Sequence, residues 1–349
     1  MATPIYEFAQ IPRVEPVAKV RARVRHVRDA GQAPTVGVIY NPRSHRNLGA
    51  DFDCGLCPHV HIAQPRARAQ LPVALADFAE RGIDLLVING GDGTVRDVLT
   101  CGQAIFGDNW PAIAVLPKGK TNALTVDLGV PDEWSLQDAI EALDHGRRVY
   151  RRPMAVSAMR EDGTPGTVSR VAGFILGAGA FTKATQAGQS AHRLGAFDSM
   201  VVAVTGLWAL LQSLFAGRSN AWRKGARMRI GLGTADAPMA HSGHGDRAMR
   251  QLLFASTLER LPAGIRPFGP LKNGLKLVAI DQISRRTTAL IPLVLLGKIK
   301  GSLRQRGIHQ LAASQFTLSI DDQFILDGEA FPAGKYRIEQ GPELAFVAP

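Results

Sequence analysis

The sequence predicts two domains: an α/β domain with a mainly parallel sheet and helices on both faces, followed by an antiparallel β-sandwich. Two observations predict this fold class. Strand-like apolar runs alternate with helical periodicity over residues 35–150, which is typical of a parallel sheet. Short strand-like runs then follow one another, which is typical of antiparallel sheets. We therefore predict domains at residues 34–150 and 151–335, after a basic extension at residues 1–33.

The elements of the first domain are bounded by start and stop signals. Gly82 ends the first helix, because glycine readily adopts the left-handed conformation that closes a helix. Ser135 is a typical N-cap for the last helix of the domain. The predicted strands are residues 36–40, 59–63, 83–88 and 112–116, and the predicted helices are residues 71–81, 95–105 and 136–143.

The strand at residues 83–88 leads into a segment that we call the glycine turn, which consists of Gly90, Gly91, Asp92, Gly93 and Thr94. Glycines let backbone N–H groups approach an anion closely, and the positive end of the following helix favours a phosphate. A nucleotide phosphate is therefore the predicted ligand. Glycine-rich turns of this kind also occur for packing alone, and this alternative stays open.

Two further polar segments follow predicted strands. Asn41 comes directly after the strand at residues 36–40, and Asn122 lies in the loop after the strand at residues 112–116. Ligands of parallel sheets bind at the C-terminal ends of the strands. Asn41, Asn122 and the glycine turn are therefore predicted to lie at one edge of the sheet.

The second domain is predicted from short strands and one hairpin. The turn at residues 161–166 joins the first two strands as a hairpin. Two apolar helical stretches, residues 200–215 and 287–300, are each too short and too interrupted to span a bilayer. Positive charge follows both, so they are either core helices or membrane-facing helices beside a lipid entrance. The predicted strands are residues 154–159, 167–175, 227–231, 251–257, 275–280 and 316–320.

The charge of the chain indicates an anionic partner. With 41 basic and 30 acidic residues, the net charge is +11, which attracts nucleic acid or anionic lipid. The sequence has no ribonucleoprotein motif, histidine-paired zinc finger or helix-turn-helix, so we predict an anionic membrane surface and no nucleic acid. Only three cysteines occur and no secretory signal is recognisable, which predicts a cytoplasmic protein.

The extension at residues 1–33 has the pattern of a basic amphipathic helix. Val17, Val20, Val24 and Val27 recur at helical spacing among lysine and arginine residues. Two interpretations stay open, membrane binding and packing against the first domain, because valine is a weak membrane anchor.

Three other motifs are weak. The Gly-Lys-Thr sequence at residues 119–121 lacks the upstream glycine of a P-loop, because Ala114 occupies that position. The Gly-Ala-Gly sequence at residues 177–179 lacks the third glycine of a dinucleotide fingerprint. Four clustered cysteine and histidine residues could bind zinc, but no second ligand pair is evident and alternating histidines suit a strand. These four residues are Cys54, Cys57, His59 and His61.

Four motifs occur in order along the chain: Asn41-Pro42 with Ser44, the glycine turn, the loop of residues 117–122, and Asp327-Gly328-Glu329. Together they resemble the lipid kinase family of soluble bacterial diacylglycerol kinases, sphingosine kinases and ceramide kinases, over about residues 35–349. The glycine turn alone is shared with NAD kinases and phosphofructokinases, so the resemblance implies a first domain of that kind. An NAD kinase is expected to have Asn-Glu where this chain has Asn122-Ala123.

The resemblance implies ATP and Mg²⁺ as cofactors. The glycine turn would hold the ATP phosphates, with Asp92 near the metal or the γ-phosphate. Asp327 is implied as the general base that takes the proton from a lipid hydroxyl, although Asp-Gly is also a common hairpin turn. Glu329 is implied to lie near ATP or its Mg²⁺. The remaining residues implied in ATP binding are Asn41, Pro42, Ser44, Lys120, Thr121 and Asn122.

Three further features follow from the resemblance. Lys183 and Arg193 are candidates for phosphate or substrate contact, with an ordinary surface position as the alternative. Lys120 stands where the family usually has threonine, so it either adds a phosphate contact or reshapes the loop. The family's chain also returns to the first domain at its end, which implies that residues 336–349 belong there.

The substrate class is implied by one absence in the sequence. Sphingosine kinases present an acidic residue to the substrate ammonium, yet no Asp or Glu occurs between Gly177 and Arg193. The resemblance therefore implies a kinase for the primary hydroxyl of a neutral membrane lipid, with diacylglycerol first and ceramide second, peripheral on the inner leaflet of the cytoplasmic membrane. The alternative from another class is a lipid-binding or regulatory protein that kept the fold and lost turnover.

Overall fold

The computed structural model describes residues 32–48, 58–159, 165–183, 185, 225–299 and 303–349. Within these ranges the chain forms two compact units. Of the described residues, the first unit contains those from 32 to 153 together with Gly341–Pro349, and the second unit contains those within Met154–Gln340. The predicted amphipathic helix of the extension, the apolar stretch at residues 200–215 and Arg193 lie outside the described residues.

Strands and helices are numbered in chain order. The strands of the first unit are β1 (Val36–Tyr40), β2 (Val60–Ala63), β3 (Leu85–Gly90), β4 (Ala112–Pro117), β5 (Arg147–Arg151) and β19 (Leu344–Ala348). Those of the second unit are β6 (Met154–Met159), β7 (Pro165–Gly173), β8 (Ile175–Gly179), β9 (Ala226–Leu232), β10 (Ala237–Pro238), β11 (Met249–Arg250), β12 (Leu252–Ser256), β13 (Leu275–Ile280), β14 (Ile308–Ala313), β15 (Gln315–Ile320), β16 (Phe324–Leu326), β17 (Glu329–Phe331) and β18 (Gly334–Gln340). The helices are α1 (Leu71–Arg81), α2 (Asp92–Phe106), α3 (Ala123–Leu128), α4 (Leu136–His145), α5 (Arg285–Thr288) and α6 (Ile291–Leu295).

The first unit is built on a mostly parallel sheet, as predicted. Its strand order is β2-β1-β3-β4-β19-β5, and β5 alone in this sheet runs antiparallel to its neighbour β19. Every residue of β1 and β3 is buried, which is expected where helices cover both faces of a parallel sheet. The chain re-enters this sheet at β19, whereas Tyr336–Gln340 are part of β18 in the second unit.

Local signals bound the helices of the first unit as the sequence predicts. Gly82 closes α1 in the left-handed conformation with φ of 67°, and its N–H donates to the carbonyls of Ala79 and Phe78. Ser135 caps α4 in a capping box, in which its hydroxyl accepts from the Asp138 N–H while the Asp138 side chain accepts from the Ser135 N–H.

The second unit is an antiparallel β-sandwich, which confirms the predicted fold class. One sheet has the order β10-β9-β15-β18-β6-β7, with β11 also paired to β9, and the other has the order β14-β13-β12-β8-β16-β17. Alternate residues of both sheets bury their side chains in one shared core, as the inner faces of a sandwich do. Phe316 and Leu318 of β15 and Leu275 and Leu277 of β13 illustrate the alternation.

Two predicted elements of the second unit are divided in the structure. Residues 167–175 were predicted as one strand, but β7 ends at Gly173 in one sheet and β8 begins at Ile175 in the other. The predicted apolar helix at residues 287–300 is divided between two short helices, α5 and α6, because Pro292 at the start of α6 has no N–H to continue the hydrogen bonds of a single helix. No helix in the described ranges is long and apolar enough to cross a membrane.

Candidate functional site

The glycine turn connects a buried strand to a helix in the first unit. Gly90 is the last residue of β3, Gly91 is the N-cap of α2, and α2 begins at Asp92. The N–H groups of Thr94 and Val95 donate to the Gly91 carbonyl at 2.9 and 3.1 Å. The N–H groups that come earlier in α2 have no carbonyl partner within the helix. They can therefore donate to a phosphate at this helix start.

Close packing explains why glycine occupies the first two positions of this turn. A Cβ atom on Gly91 would lie 2.7 Å from the Cα atom of Gly119, and one on Gly90 would lie 2.6 Å from the Thr94 side chain. The turn therefore packs backbone against backbone on the loop of residues 117–122. The packing alternative for the glycines thus has direct structural support, and it is compatible with phosphate binding at α2.

The ends of three strands lie side by side at this edge of the sheet. Tyr40 is in register with Asn89, and Gly90 is in register with Pro117. The segments that follow β1, β3 and β4 therefore leave the sheet together. Asn41, the glycine turn and Asn122 are brought to one edge, where ligands of such sheets bind.

Asparagine side chains hold the ends of β1 and β3 together. The Asn41 Nδ2 atom donates to Thr94 Oγ1 at 2.8 Å, which joins the loop after β1 to the glycine turn. Asn47 was not predicted as a site residue, yet its buried Nδ2 donates to the Asn41 carbonyl and to Asn89 Oδ1, both at 2.8 Å. Sequence alone gave no signal for Asn47, because its partners come from two separate segments.

The other predicted residues of the first loop line the same edge. Pro42 is half-buried, and Ser44 is buried with its N–H donating to the Asn41 carbonyl at 3.1 Å. Arg46, also not predicted, donates through its backbone N–H to the Lys118 carbonyl at 3.0 Å. Its guanidinium donates to the Pro117 carbonyl at 3.4 Å and to Asp132 Oδ2 at 2.9 Å. Arg46 therefore joins the loop after β1 to the loop after β4.

Asn122 closes its own loop. It adopts the left-handed conformation with φ of 51°, its Oδ1 atom accepts from the Gly119 N–H at 2.7 Å, and its Nδ2 atom donates to the Gly119 carbonyl at 3.1 Å. Asn122 is buried, whereas Lys120 and Thr121 between these two residues are exposed. The loop thus presents Lys120 and Thr121 to solvent on a frame that Asn122 makes rigid.

Asp92 links the starts of two helices. Its carboxylate accepts from the N–H groups of Ala123 and Leu124, the first two residues of α3, at 3.1 and 3.4 Å. Burial raises the pKa of the Asp92 carboxyl, and the backbone N–H groups of Ala123, Leu124 and Asn122 act in the opposite direction. The contact of Asp92 with a metal or γ-phosphate stays a prediction, and its contact with α3 is an additional role.

Asp327 lies in the second unit, in a hairpin turn. It joins β16 to β17 together with Gly328, and both residues have positive φ, 45° and 83°, as in a type I′ turn. Its carboxylate accepts from the N–H of Phe174 at 3.0 Å and from the N–H of Ile175 at 2.8 Å. These contacts hold the Asp327 carboxylate at the point where the chain passes from β7 to β8.

The remaining predicted residues are also in the second unit. Glu329 begins β17 and is in register with Leu326. The Lys183 Nζ atom lies 3.9 Å from Asp322 Oδ2, and both side chains are about one-third exposed. This distance is typical of a weak surface ion pair and leaves the role of Lys183 open.

The described residues contain no group of three or more histidine, cysteine or acidic side chains that could hold a metal ion. Cys54 and Cys57 of the disfavoured zinc site are outside the described ranges, and His61 is part of β2. The residues that fit a cofactor are those of the α2 start. A helix N-terminus without bulky side chains, next to exposed Lys120, is suited to the phosphates of a nucleotide.

A buried charged cluster of the second unit was not predicted. Asp281 follows β13 and is fully buried, with its carboxylate bound by the Arg250 guanidinium, by His309 Nε2 at 2.9 Å and by the Ser242 hydroxyl at 2.6 Å. Burial alone would raise the pKa of the Asp281 carboxyl. The hydrogen bonds from His309 and Ser242 and the charge of Arg250 outweigh burial, so the pKa lies below its usual range.

Comparison with known proteins locates a family match in the first unit. Residues 35–152 match the model of the family described as "Diacylglycerol kinase catalytic domain". A Citrobacter koseri protein named "Probable lipid kinase YegS-like" is 31% identical over 85 residues, which cover 24% of this chain and 28% of that protein. The Escherichia coli "Probable lipid kinase YegS" is 31% identical over 78 residues, 22% of this chain and 25% of that protein. The matched segment of this chain thus spans about a quarter of the length of each of these curated relatives.

Solved structures resemble the chain over most of its length. The crystal structure of a diacylglycerol kinase from Bacillus anthracis str. Sterne has a TM-score of 0.55 at 15% identity, and the match covers 90% of this chain and 97% of that chain. A second structure from the same organism has a TM-score of 0.56 at 15% identity, with the same coverage of both chains. The fold is therefore shared. The resemblance to the diacylglycerol kinase family is confirmed for residues 35–152, which contain three of the four motifs; the motif at residues 327–329 lies outside the match.

Proposed function

We propose that this chain is an ATP- and Mg²⁺-dependent lipid kinase that transfers the γ-phosphate to the primary hydroxyl of a neutral membrane lipid. The observation that carries the proposal is the start of α2. There the glycine turn, inside the segment that matches the diacylglycerol kinase catalytic domain, joins a buried strand to a helix N-terminus. The names of the relatives and of the structural neighbour support the same activity.

Phosphoryl transfer requires positioning and positive charge more than covalent chemistry, and the first unit offers both. ATP would supply the phosphoryl group, and Mg²⁺ would offset the negative charge of its phosphates. The N–H groups at the start of α2 would bind phosphate oxygens, and Lys120 would add a positive charge beside them. Asn41 would keep the glycine turn in place through its hydrogen bond to Thr94.

Asp327 is proposed as the base that accepts the proton of the lipid hydroxyl. Its carboxylate is fixed by the N–H groups of Phe174 and Ile175, so its orientation is defined before any substrate binds. The proposed substrate is diacylglycerol, with ceramide as the alternative, because the segment between Gly177 and Arg193 contains no acidic residue for a substrate ammonium. We further propose that the protein works at the inner leaflet of the cytoplasmic membrane.

A lipid kinase assay tests the proposal directly. Purified protein is incubated with ATP and Mg²⁺ and with diacylglycerol, ceramide, sphingosine or monoacylglycerol in mixed micelles, and lipid products are identified by mass. We expect phosphorylation of diacylglycerol above the other lipids. Ceramide as the preferred acceptor would support the alternative substrate, and no phosphorylated lipid from any of the four would refute the kinase proposal.

The Asp327→Asn variant tests the role of the base. We expect loss of lipid phosphorylation with unchanged ATP affinity, because the amide cannot accept the proton at neutral pH. Asp321→Asn is the matched control, since Asp321 is also in a loop of the second unit and also accepts a backbone N–H, from Arg227 at 3.0 Å. The control should keep its activity. Turnover by Asp327→Asn equal to that of the control would remove Asp327 as the base.

One observation favours a second candidate function, a lipid-binding or regulatory protein without turnover. The Asp-Gly hairpin and the two N–H groups bound by Asp327 explain this residue structurally, without any catalytic role. The two functions differ in a binding assay combined with the kinase assay. A protein that binds diacylglycerol or ATP but yields no phosphorylated lipid would support the second function.

A further inference from the structure

The segment around α6 in the second unit exposes apolar side chains beside positive charges. Leu293 and Leu296 are 41% and 53% exposed, although Val294 between them is buried against the unit. Residues three apart on a helix lie on the same side, so the two leucines share one exposed surface. Exposed leucines at this spacing on a short helix require an explanation.

Backbone hydrogen bonds hold two basic residues next to these leucines. The Lys298 backbone N–H donates to the Leu293 carbonyl at 2.9 Å, in the turn that ends α6. The Arg266 backbone N–H donates to the Leu295 carbonyl at 2.6 Å, so this arginine comes to the same turn from a different segment. Both side chains are exposed, and neither forms an ion pair within the described part of the chain. We call Leu293, Leu296, Arg266 and Lys298 the basic apolar face.

The segment of the sequence that contains α6 has no acidic residue of its own. No aspartate or glutamate occurs between Asp281 and Asp321, whereas six lysine and arginine residues do. A field of one sign next to exposed leucines matches the surface of an anionic bilayer, where leucine enters the boundary of the acyl chains and cations meet the headgroups. The six basic residues are Arg285, Arg286, Lys298, Lys300, Arg304 and Arg306.

We propose that the basic apolar face is the surface through which this protein docks on an anionic lipid bilayer. The proposal rests on the proposed function in one respect, that the substrate is a membrane lipid. Each cation near an anionic surface contributes about fivefold in membrane affinity, and partial burial of the two leucines contributes about tenfold together.

Vesicle sedimentation without ATP tests this docking surface. The probe is large unilamellar vesicles of phosphatidylcholine alone or with phosphatidylglycerol. We expect binding only to the vesicles with phosphatidylglycerol, and weaker binding when salt rises from about 0.1 M to about 1 M, because the Debye length falls from about 10 Å to about 3 Å. Binding that ignores lipid charge or salt would overturn the proposal.

Two double variants and two matched controls locate the surface. Leu293→Ser with Leu296→Ser should lower vesicle affinity about tenfold, and Arg266→Gln with Lys298→Gln should lower it more than tenfold. Val73→Ser is the control for the leucines, because Val73 is 66% exposed on α1 of the first unit. Arg66→Gln with Arg247→Gln controls for the loss of two charges from exposed positions elsewhere. Equal losses in variants and controls would overturn the proposal.

A second measurement does not depend on loss of binding. In Leu296→Trp, lipids brominated in the upper acyl chain should quench the new tryptophan, whereas the same substitution at Val73 should give a fluorescent residue that these lipids do not quench. Absence of quenching at position 296 in bound protein would assign docking to another surface. Concentration-dependent dimerisation that the double serine variant abolishes would assign the face to a second copy and overturn membrane docking.

The failure of docking and the failure of the kinase proposal are distinguishable. Detergent micelles present the lipid without a bilayer, so the double variants should phosphorylate lipid in micelles as well as the unmodified protein does. Vesicle binding that needs the basic apolar face would stand even if no lipid were phosphorylated. Full activity in micelles with vesicle binding unaffected by either double variant would refute docking alone.

Discussion

Replacing Gly91 by alanine tests the contact between the glycine turn and the loop after β4. The Gly91 backbone, with φ of −92° and ψ of −177°, is open to alanine without strain, so the effect comes from the added methyl group. Its Cβ atom would lie 2.7 Å from the Gly119 Cα atom. Carbon atoms normally approach to about 3.5–4.0 Å, so the two backbones must separate by about 1 Å.

The cost of this separation has two parts. Overpacking of a close contact costs about 1–3 kcal/mol. The hydrogen bond from the Lys118 N–H to the Gly90 carbonyl is already 3.4 Å long, and its loss adds at most about 1 kcal/mol, because the same N–H also donates to the Leu116 carbonyl at 2.8 Å. We expect Gly91→Ala to lower the free energy of unfolding by about 1–4 kcal/mol. We also expect about tenfold weaker ATP binding, since the displaced loop holds Lys120 beside the start of α2.

Urea unfolding and calorimetric ATP titration measure the two effects. Gly82→Ala is the control, because Gly82 has φ of 67° and an added Cβ atom would meet nothing within 4 Å, so the change strains only the helix end. It should cost about 1 kcal/mol of stability and leave ATP affinity unchanged. The reasoning is refuted if Gly91→Ala keeps full stability and ATP affinity, or if Gly82→Ala loses as much ATP affinity.

Four further predictions concern the rest of the fold. Asp281→Asn should lower the free energy of unfolding by about 3–5 kcal/mol, because it leaves the Arg250 charge buried without its partner; a loss below about 1 kcal/mol in urea unfolding would contradict this. The lowered pKa of the Asp281 carboxyl contributes stability above about pH 4 that is lost as the pH falls further, so stability of the unmodified protein should decline there more steeply than that of Asp281→Asn. Ser135→Ala should cost about 1 kcal/mol by removing the capping box with Asp138, whereas Ser135→Thr should retain most of it. Burial raises the pKa of the Cys101 thiol to about 12, so at pH 8 this thiol should react with a maleimide only in denaturant. Mass spectrometry of the peptide that contains Cys101 measures this labelling. Rapid labelling of Cys101 in the native protein would be inconsistent with its burial.

Much of the first unit could be predicted because its signals are local. The strand at residues 36–40 coincides with β1, and Gly82 and Ser135 bound their helices as expected, since a cap acts within one turn of the chain. β5 and β19 were not predicted as strands, although the resemblance implied that the end of the chain returns to the first domain. β5 contains three arginines and no buried residue, rather than an apolar run, and the neighbours of β19 in the sheet lie far away along the chain.

The candidate site was predictable in its residues and less so in their contacts. Asn41 and the glycine turn were predicted to lie at one edge of the sheet, and the structure places them there. Asn47 and Arg46 act through partners from two other segments, and such contacts have no signature in one sequence. Burial of opposite charges around Asp281 was also unpredictable, because an isolated aspartate after a strand usually indicates a loop.

The position of β19 has a consequence for synthesis of the protein. This strand lies between β4 and β5, inside the sheet of the first unit, but it is translated after all of Met154–Gln340. On the ribosome, the sandwich can therefore gain its strands before the sheet that begins the chain is closed. Until β19 arrives, the edges of β4 and β5 have no partner from this strand, and open edges of this kind invite mispairing. The half of the protein that is made first is thus the half whose folding finishes last.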